Sequence, residues 1–407
     1  MNVRIKKLEI KNYRSCINTT FEPKGGLSSL IGPNGSGKTT ILNAIQLLNS
    51  LTAMRNNPFR KKSDPESFSS DCVLKVTFEW NGETVNYEAK INLVNNERNE
   101  DEILNSEERW GFYPITKTRR KVIIPLYLAI DNYHYTRHNL PSITSFLGGF
   151  YNSESMGKTV TQAMYDIANF AKSISYYSAS IFTNPSSCPI SFEVESESGA
   201  RRGISITGHK KFLYDLYDAY KKDSPEYDQF IELVGPEGIN LISELAFQEI
   251  QTSSSTYKVA AGGRITTKEK KNNLIIPNFR IAGNSLSPSQ LSEGTFRTLG
   301  MLFYLIKDHS PLMLIEEPEV CIHHGLLSSI IQLIKIYSLE KQIIISTHSD
   351  QLLDELEIES VFKVDRTDEG TKVENIKKKL SGSELKALKE YLRNEGGLGE
   401  YWKHGAL

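Results

Sequence analysis

The run Gly32-Pro33-Asn34-Gly35-Ser36-Gly37-Lys38-Thr39-Thr40 has the spacing of a phosphate-binding loop. Glycine at its first and sixth positions lets backbone N–H groups turn around phosphate oxygens, and a helix starting at its end adds favourable partial charge. Lys38 is placed to reach the β- and γ-phosphates of a nucleoside triphosphate, and the Thr39 hydroxyl to hold Mg2+. Three further groups could share that chemistry. Leu312-Met313-Leu314-Ile315 ends in two carboxylates. At the tip of a buried strand, Glu316 can orient Mg2+ and Glu317 can polarise an attacking water. Ser292 and Gly294, in Leu291-Ser292-Glu293-Gly294-Thr295, open a helical run from Phe296 to Ile306. They make either an anion-binding helix end or a simple cap. His348 closes the strand that follows the paired glutamates, and is either structural or a phosphate contact.

These side chains need a scaffold, and the apolar pattern supplies one. Ser28–Ile31 reads as a short strand and Ile41–Leu48 as an amphipathic helix, so the loop has the strand before it and the helix behind it that a phosphate site requires. Leu312–Ile315 and Gln342–Ile345 are continuous apolar runs, as parallel strands buried on both faces should be, and the helix Leu326–Tyr337 joins them into a βαβ unit. Val3–Ile10 reads as a strand, followed by a polar turn over 11–15. Val73–Glu79 and Thr84–Leu93 alternate around Asn81-Gly82 as a hairpin. Asn95–Glu108 reads as exposed loop. Val160–Tyr176, Lys211–Tyr220 and Gln229–Glu249 read as helices, and Ile190–Val194 as a strand. Ser381-Gly382-Ser383-Glu384 is a capping box flanked by Leu380 and Leu385, so a helix should start there.

Taken in order, Asn12-Tyr13-Arg14-Ser15, the phosphate loop, Leu291–Thr295, Ile315-Glu316-Glu317-Pro318-Glu319 and Ser346-Thr347-His348-Ser349 resemble the ABC-type ATPases related to the SMC and RecF proteins. More narrowly, they resemble the bacterial AAA family ATPases that include OLD-family and anti-phage defence members. The likeness covers about residues 1–50 and 285–365, read as a discontinuous core. It implies an α/β fold, an ABC-type P-loop ATPase head whose mixed central sheet is flanked by helices. Residues 51–284 would then hold the remaining lobe strands and a compact α+β insertion, and 366–407 a C-terminal helix and partner-docking tail.

The same resemblance assigns roles. ATP would be held by Asn12, Arg14, Asn34, Gly35, Ser36, Gly37, Lys38, Thr39 and Thr40. The signature Ser292, Glu293 and Gly294 would act in trans across a homodimer or higher homo-oligomer. Thr39 and Glu316 would hold Mg2+. Glu317 would be the catalytic base or the group that orients water, with Lys38 and His348, the switch histidine, completing the catalytic set, and Pro318–His324 would be the D-loop. The first acid of the pair is usually Asp in these families. The extra methylene of Glu316 moves its carboxylate by about 1.5 Å, so slow turnover is expected. No Q-loop glutamine can be assigned.

Bulk properties narrow the setting. The 407 residues carry 48 Lys and Arg against 49 Asp and Glu, a net charge of −1, so there is no global field to attract nucleic acid. The basic groups Lys117, Arg119, Arg120 and Lys121, then Arg201 and Arg202, then Lys268, Lys270 and Lys271 leave local DNA contact open. The four cysteines show no metal-ligand spacing, no apolar run is long enough to span a membrane, and the N-terminal residues lead into a strand, so a cytoplasmic location is expected. The interval of more than two hundred residues between loop and signature argues against a transporter, and its lack of heptads against a coiled-coil arm. About sixty residues follow His348, and Asp354, Asp365 and Asp368 do not form a TOPRIM acidic set, so no built-in nuclease is expected. The function expected is that of an anti-phage subunit controlling a separate nuclease or toxin; the alternative is a RecF-like DNA repair ATPase.

Overall fold

The structure is a computed structural model that describes residues 3–52, 68–94, 103–112, 121–126, 158–178, 185–195, 208–259, 265–320, 322, 324–394 and 396–403. The chain divides into two compact units. The first contains 1–177, 310–319 and 331–407; the second contains 178–309 and 320–330. Residues 51–177, with the strands that follow the phosphate loop, thus fall in the first unit, and 285–309 in the second. Among the described residues no helix is long and apolar enough to cross a membrane.

The first unit holds two six-stranded sheets. One runs β2 (Cys16–Phe21), β1 (Val3–Tyr13), β4 (Phe68–Trp80), β5 (Glu83–Val94), β6 (Ile103–Gly111) and β7 (Lys121–Leu126), antiparallel throughout. Asn81 and Gly82 both adopt positive φ, 49° and 86°, the geometry a two-residue hairpin turn needs between β4 and β5. Part of the stretch read as exposed loop, 95–108, is in fact β6: its register follows β5 from Val94–Ile103 to Asn86–Gly111. Its polar residues hid a strand that pairs with its sequence neighbours β5 and β7.

The other sheet is ordered β16 (Gly370–Asn375), β15 (Val361–Thr367), β3 (Leu27–Ile31), β14 (Gln342–Thr347), β13 (Leu312–Glu316) and β8 (Ser175–Ser178). The four central strands β15, β3, β14 and β13 are parallel, and β16 returns antiparallel to β15, giving the mixed sheet anticipated. Helix α1 (Lys38–Thr52) rises from the phosphate loop and packs on α2 (Lys158–Lys172), β1, β13 and β14, burying Ile41, Leu42, Ala44, Ile45 and Leu48 in the core between the sheets. Helix α2 stops at Lys172, so Tyr176 lies in β8 and not in the helix expected to reach it. Gln342, buried at the start of β14, ties the sheets: its amide accepts from Ile5 N and donates to Ile5 O (3.1 and 3.0 Å). Ile5 stands where β1 bulges away from β4, so Gln342 satisfies backbone groups there.

The second unit is built on the long hairpin β10 (Glu244–Val259) and β11 (Ile265–Ile281), with β9 (Phe192–Glu195) and β12 (Asn284–Leu286) both pairing to β11. Its helices are α3 (Gly208–Lys221), α4 (Pro225–Val234) and α5 (Glu293–Lys307). The helix expected over 229–249 ends at Val234: Gly235 caps it, a turn follows, and Glu244 begins β10. Phe212, Phe230, Phe296 and Phe303 pack edge to face in its core. Helix α6 (His324–Tyr337) leads to β14; α7 (Asp350–Asp354), α8 (Gly382–Asn394) and α9 (Leu398–Lys403) belong to the first unit, as does a single turn over Ile376–Lys379. The capping box forms, with Glu384 accepting from Ser381 N at 2.8 Å. The tail folds back on α7, where Gly399 N donates to Asp354 Oδ1 (2.6 Å) and Lys403 pairs with Asp350 (3.0 Å).

Candidate functional site

A cavity of about 490 Å3 opens at the carboxyl end of β3, lined by Arg14, Ser15, Asn34, Gly35, Gly37, Lys38, Thr39, Thr40, Glu317 and Arg366. The loop geometry is fixed by its glycines. Gly37 has φ 109°, and a Cβ there would lie 2.2 Å from Thr371 Oγ1 and 2.8 Å from Ser15 Oγ, so no side chain fits. The loop closes with Ser36 N donating to Pro33 O (3.2 Å), and α1 begins with Ile41 N on Gly37 O (3.0 Å). Lys38 is buried, and its ammonium donates to Gly32 O and Pro33 O at 2.7 and 3.0 Å. A third proton remains for a phosphate oxygen. Burial pushes its pKa down, opposed by the charges of Glu317, Glu319 and Glu316.

The two adjacent carboxylates point to different tasks. Glu316 ends β13, and its Oε1 accepts from the Thr39 hydroxyl at 2.5 Å while its Oε2 accepts from the Tyr176 hydroxyl on β8. The next residue turns the chain: Glu317 has φ 49°, left-handed and unusual for a non-glycine, and its N–H is held by Ser346 O at 2.9 Å. That reversal sends Glu317 into the cavity wall while Glu316 stays under the loop. Glu316 and Thr39 are a hard-oxygen pair of the kind Mg2+ prefers, with room left for phosphate oxygens and water. The donor set therefore fits the metal.

His348 follows directly on β14, with its Nδ1 3.4 Å from Glu317 Oε1 and 3.7 Å from Glu319 Oε1. Glu319 is expected from the sequence only as part of the D-loop stretch 318–324, with no catalytic or binding role of its own. It accepts from Thr347 Oγ1 (2.6 Å) and His348 N (3.1 Å), and burial pushes its carboxyl pKa up. It thus fixes the backbone that carries the histidine. Tyr176, Ser15 and Arg366 are likewise site residues that sequence reasoning misses. Tyr176 falls within the pattern of a helix. Arg366 sits on a strand whose signal, Val361, Phe362 and Val364 before Asp368-Glu369-Gly370, is readable in the sequence, although its place beside β3 is not.

Of the nine residues expected to hold ATP, two do not line the cavity. Asn12 takes φ 54° at a bulge in β1 and donates to Asp71 O (3.2 Å), so it shapes the turn that presents Arg14. Ser36 is buried, and its carbonyl accepts from Thr371. The signature residues belong to the second unit. There Ser292 caps α5, accepting from Thr295 N at 3.1 Å, and Arg297 bonds Glu293 Oε1 at 2.5 Å one turn on. Of the basic groups, Lys117, Arg119, Arg120, Arg201 and Arg202 lie outside the described residues; Lys268, Lys270 and Lys271 lie on β11.

Known proteins align with parts of this chain. It is 37% identical over 73 residues to the OLD nuclease of Thermus scotoductus, a match taking in 18% of this chain and 14% of that protein. It is 44% identical over 43 residues to the DNA replication and repair protein RecF of Chlorobium luteolum, 11% of this chain and 12% of that one. The matched stretches are thus a small part of either relative's length. Among solved structures, the SMC head domain from Thermotoga maritima superposes over 92% of this chain and 99% of its own, at TM-score 0.45 and 13% identity. The AAA ATPase domain family matches residues 4–353, most of the chain, and the protein belongs to that family.

Proposed function

We propose that this protein binds and hydrolyses ATP, slowly, as a subunit of an antiviral defence assembly that governs a separate effector. One observation carries the enzymatic part: the Thr39 hydroxyl sits 2.5 Å from Glu316 beneath a cavity whose wall contains both Lys38 and Glu317. The phosphate loop and Lys38 bind the phosphates. Thr39 and Glu316 would hold Mg2+, which draws charge from the β- and γ-phosphate oxygens when bound. Glu317 accepts the proton of the attacking water, and its left-handed backbone holds the carboxylate apart from its neighbour. His348 lies against Glu317 and is placed to sense the γ-phosphate. Two copies of the chain would share each site, with Ser292 to Gly294 of one facing the nucleotide of the other.

Phosphate release by the wild type against Glu317→Gln tests the hydrolytic reading; equal rates would sink it. Ser292→Arg should abolish nucleotide-dependent dimerisation, and no change would remove the shared site. Purification from the native host should bring down a nuclease or toxin. A second reading, DNA repair, draws on the RecF match and on the three lysines of β11 near the hairpin tip. Salt-sensitive DNA affinity of the purified chain alone would favour it.

A further inference from the structure

The phosphate loop is walled on its second flank by the β15–β16 hairpin, and that wall is built into the loop. Thr371, at the start of β16, is buried with its hydroxyl 3.0 Å from Ser36 O and 2.9 Å from Ser15 Oγ. Its N–H donates to Ser15 O (2.9 Å), and its carbonyl accepts from Thr19 Oγ1 (2.6 Å). On β15, Val364 O lies where a Cβ of Gly32 would be, 2.2 Å away. Two residues on from Val364, and so on the same side of the strand, stands Arg366 in the cavity wall. Among the described residues it forms no ion pair, whereas its neighbours Asp365 and Lys372 are paired with Lys363 and Glu369. A guanidinium on so firmly tied a strand, sharing the cavity wall with Arg14, is an exposed cation available to a ligand there.

Sheet order says which end of the ligand it meets. Glu316, Glu317 and His348 lie at the carboxyl ends of β13 and β14, on one side of β3; β15 lies on the other. A triphosphate whose γ-phosphate sits by the carboxylates must run along the loop towards β15. We propose that Arg366, with Arg14, grips the α-phosphate of the bound nucleotide and so sets affinity for nucleoside di- and triphosphates alike, without touching the reacting bond. This rests on the nucleotide reading above.

The test is fluorescence titration with N-methylanthraniloyl-ATP and -ADP, plus steady-state turnover, for wild type, Lys38→Ala, Arg366→Ala and Arg366→Lys. Arg366→Ala should weaken both nucleotides by similar factors of about tenfold and raise KM, with kcat at saturation and the melting temperature unchanged. Arg366→Lys should recover part of the loss. A wild type that binds neither probe, matched by Lys38→Ala, would overturn the nucleotide reading and this proposal with it. Tight wild-type binding that Arg366→Ala leaves unchanged, or a loss confined to ATP or to kcat, would overturn the proposal alone.

Discussion

The two flanks of the phosphate loop are made differently. On the β13–β14 side the polar groups are coupled and partly buried. Glu316 is clamped between Thr39 and Tyr176, Glu319 is buried under Thr347 and the His348 backbone, and Glu317 holds a left-handed backbone. On the β15–β16 side the hairpin is locked by Thr371, yet its functional cation Arg366 is exposed. The first flank is constructed to hold charges in a fixed relation, as bond-breaking chemistry requires. The second is constructed to place one charge on a rigid arm, as binding requires. Substitutions on the first flank should therefore change turnover more than affinity, and those on the second the reverse.

The hardest break of that comparison is Glu317→Gln. The amide keeps the shape and loses the proton acceptor, so turnover should fall by about 10²–10³-fold while nucleotide affinity holds, measured as single-turnover phosphate release. A comparable loss of affinity would mean that the two flanks are not separable. Gly37→Ala tests the joint between them. The added methyl meets the Thr371 hydroxyl and the backbone must keep φ 109°, so a destabilisation of about 1–3 kcal/mol is expected by denaturant titration, with weakened binding. If Thr371→Ser restored stability, the overlap with the Thr371 methyl, 2.8 Å from a Cβ at position 37, would be the main cause.

How much of this is legible in the sequence follows the same divide. The phosphate loop, the paired glutamates, the signature and His348 stand out because each is a local pattern at a chain turn, and the parallel strands because both faces are buried. What escapes depends on pairing between distant segments. Arg366 reaches the loop only because β15 lies beside β3, and Tyr176 reaches Glu316 only because β8 is the edge neighbour of β13. Neither adjacency leaves a mark at a fixed spacing. Asn12 misleads for the opposite reason: it sits in the right motif, but a bulge spends its side chain on Asp71. Residues 229–249 mislead because a helix-like apolar pattern continues across the Gly235 turn into a strand.

A smaller effect sharpens the picture of the first flank. Tyr176→Phe removes the hydroxyl that donates to Glu316 Oε2. A carboxylate one methylene longer than the usual aspartate needs such a second anchor to keep its oxygen at Thr39. The expected outcome is a rise of about tenfold in the Mg2+ concentration needed for half-maximal nucleotide binding, with a similar loss of turnover. Unchanged Mg2+ dependence would mean that Thr39 alone orients Glu316.

The smallest expected effect concerns Glu319, and its sign can be worked out. Burial raises the folded-state pKa of this carboxyl above the ordinary value of 4.5. The folded protein therefore binds the proton more tightly than the unfolded chain. As pH rises from 4.5 through the folded value, stability falls, and above it the full cost of an ionised buried carboxylate remains. Glu319→Gln keeps an oxygen acceptor for Thr347 and His348 N but cannot ionise, so the variant should not share this loss. Its amide nitrogen takes the place of the buried Oε2, which has no partner among the described residues, so unmet donors add a cost that does not vary with pH. The informative quantity is thus the difference in melting temperature between variant and wild type as a function of pH. It should grow in the variant's favour by about 1–2 °C between about pH 4.5 and 8. A flat difference would mean that Glu319 is charged throughout, and that the coupling on this flank is electrostatic attraction to His348 and not burial.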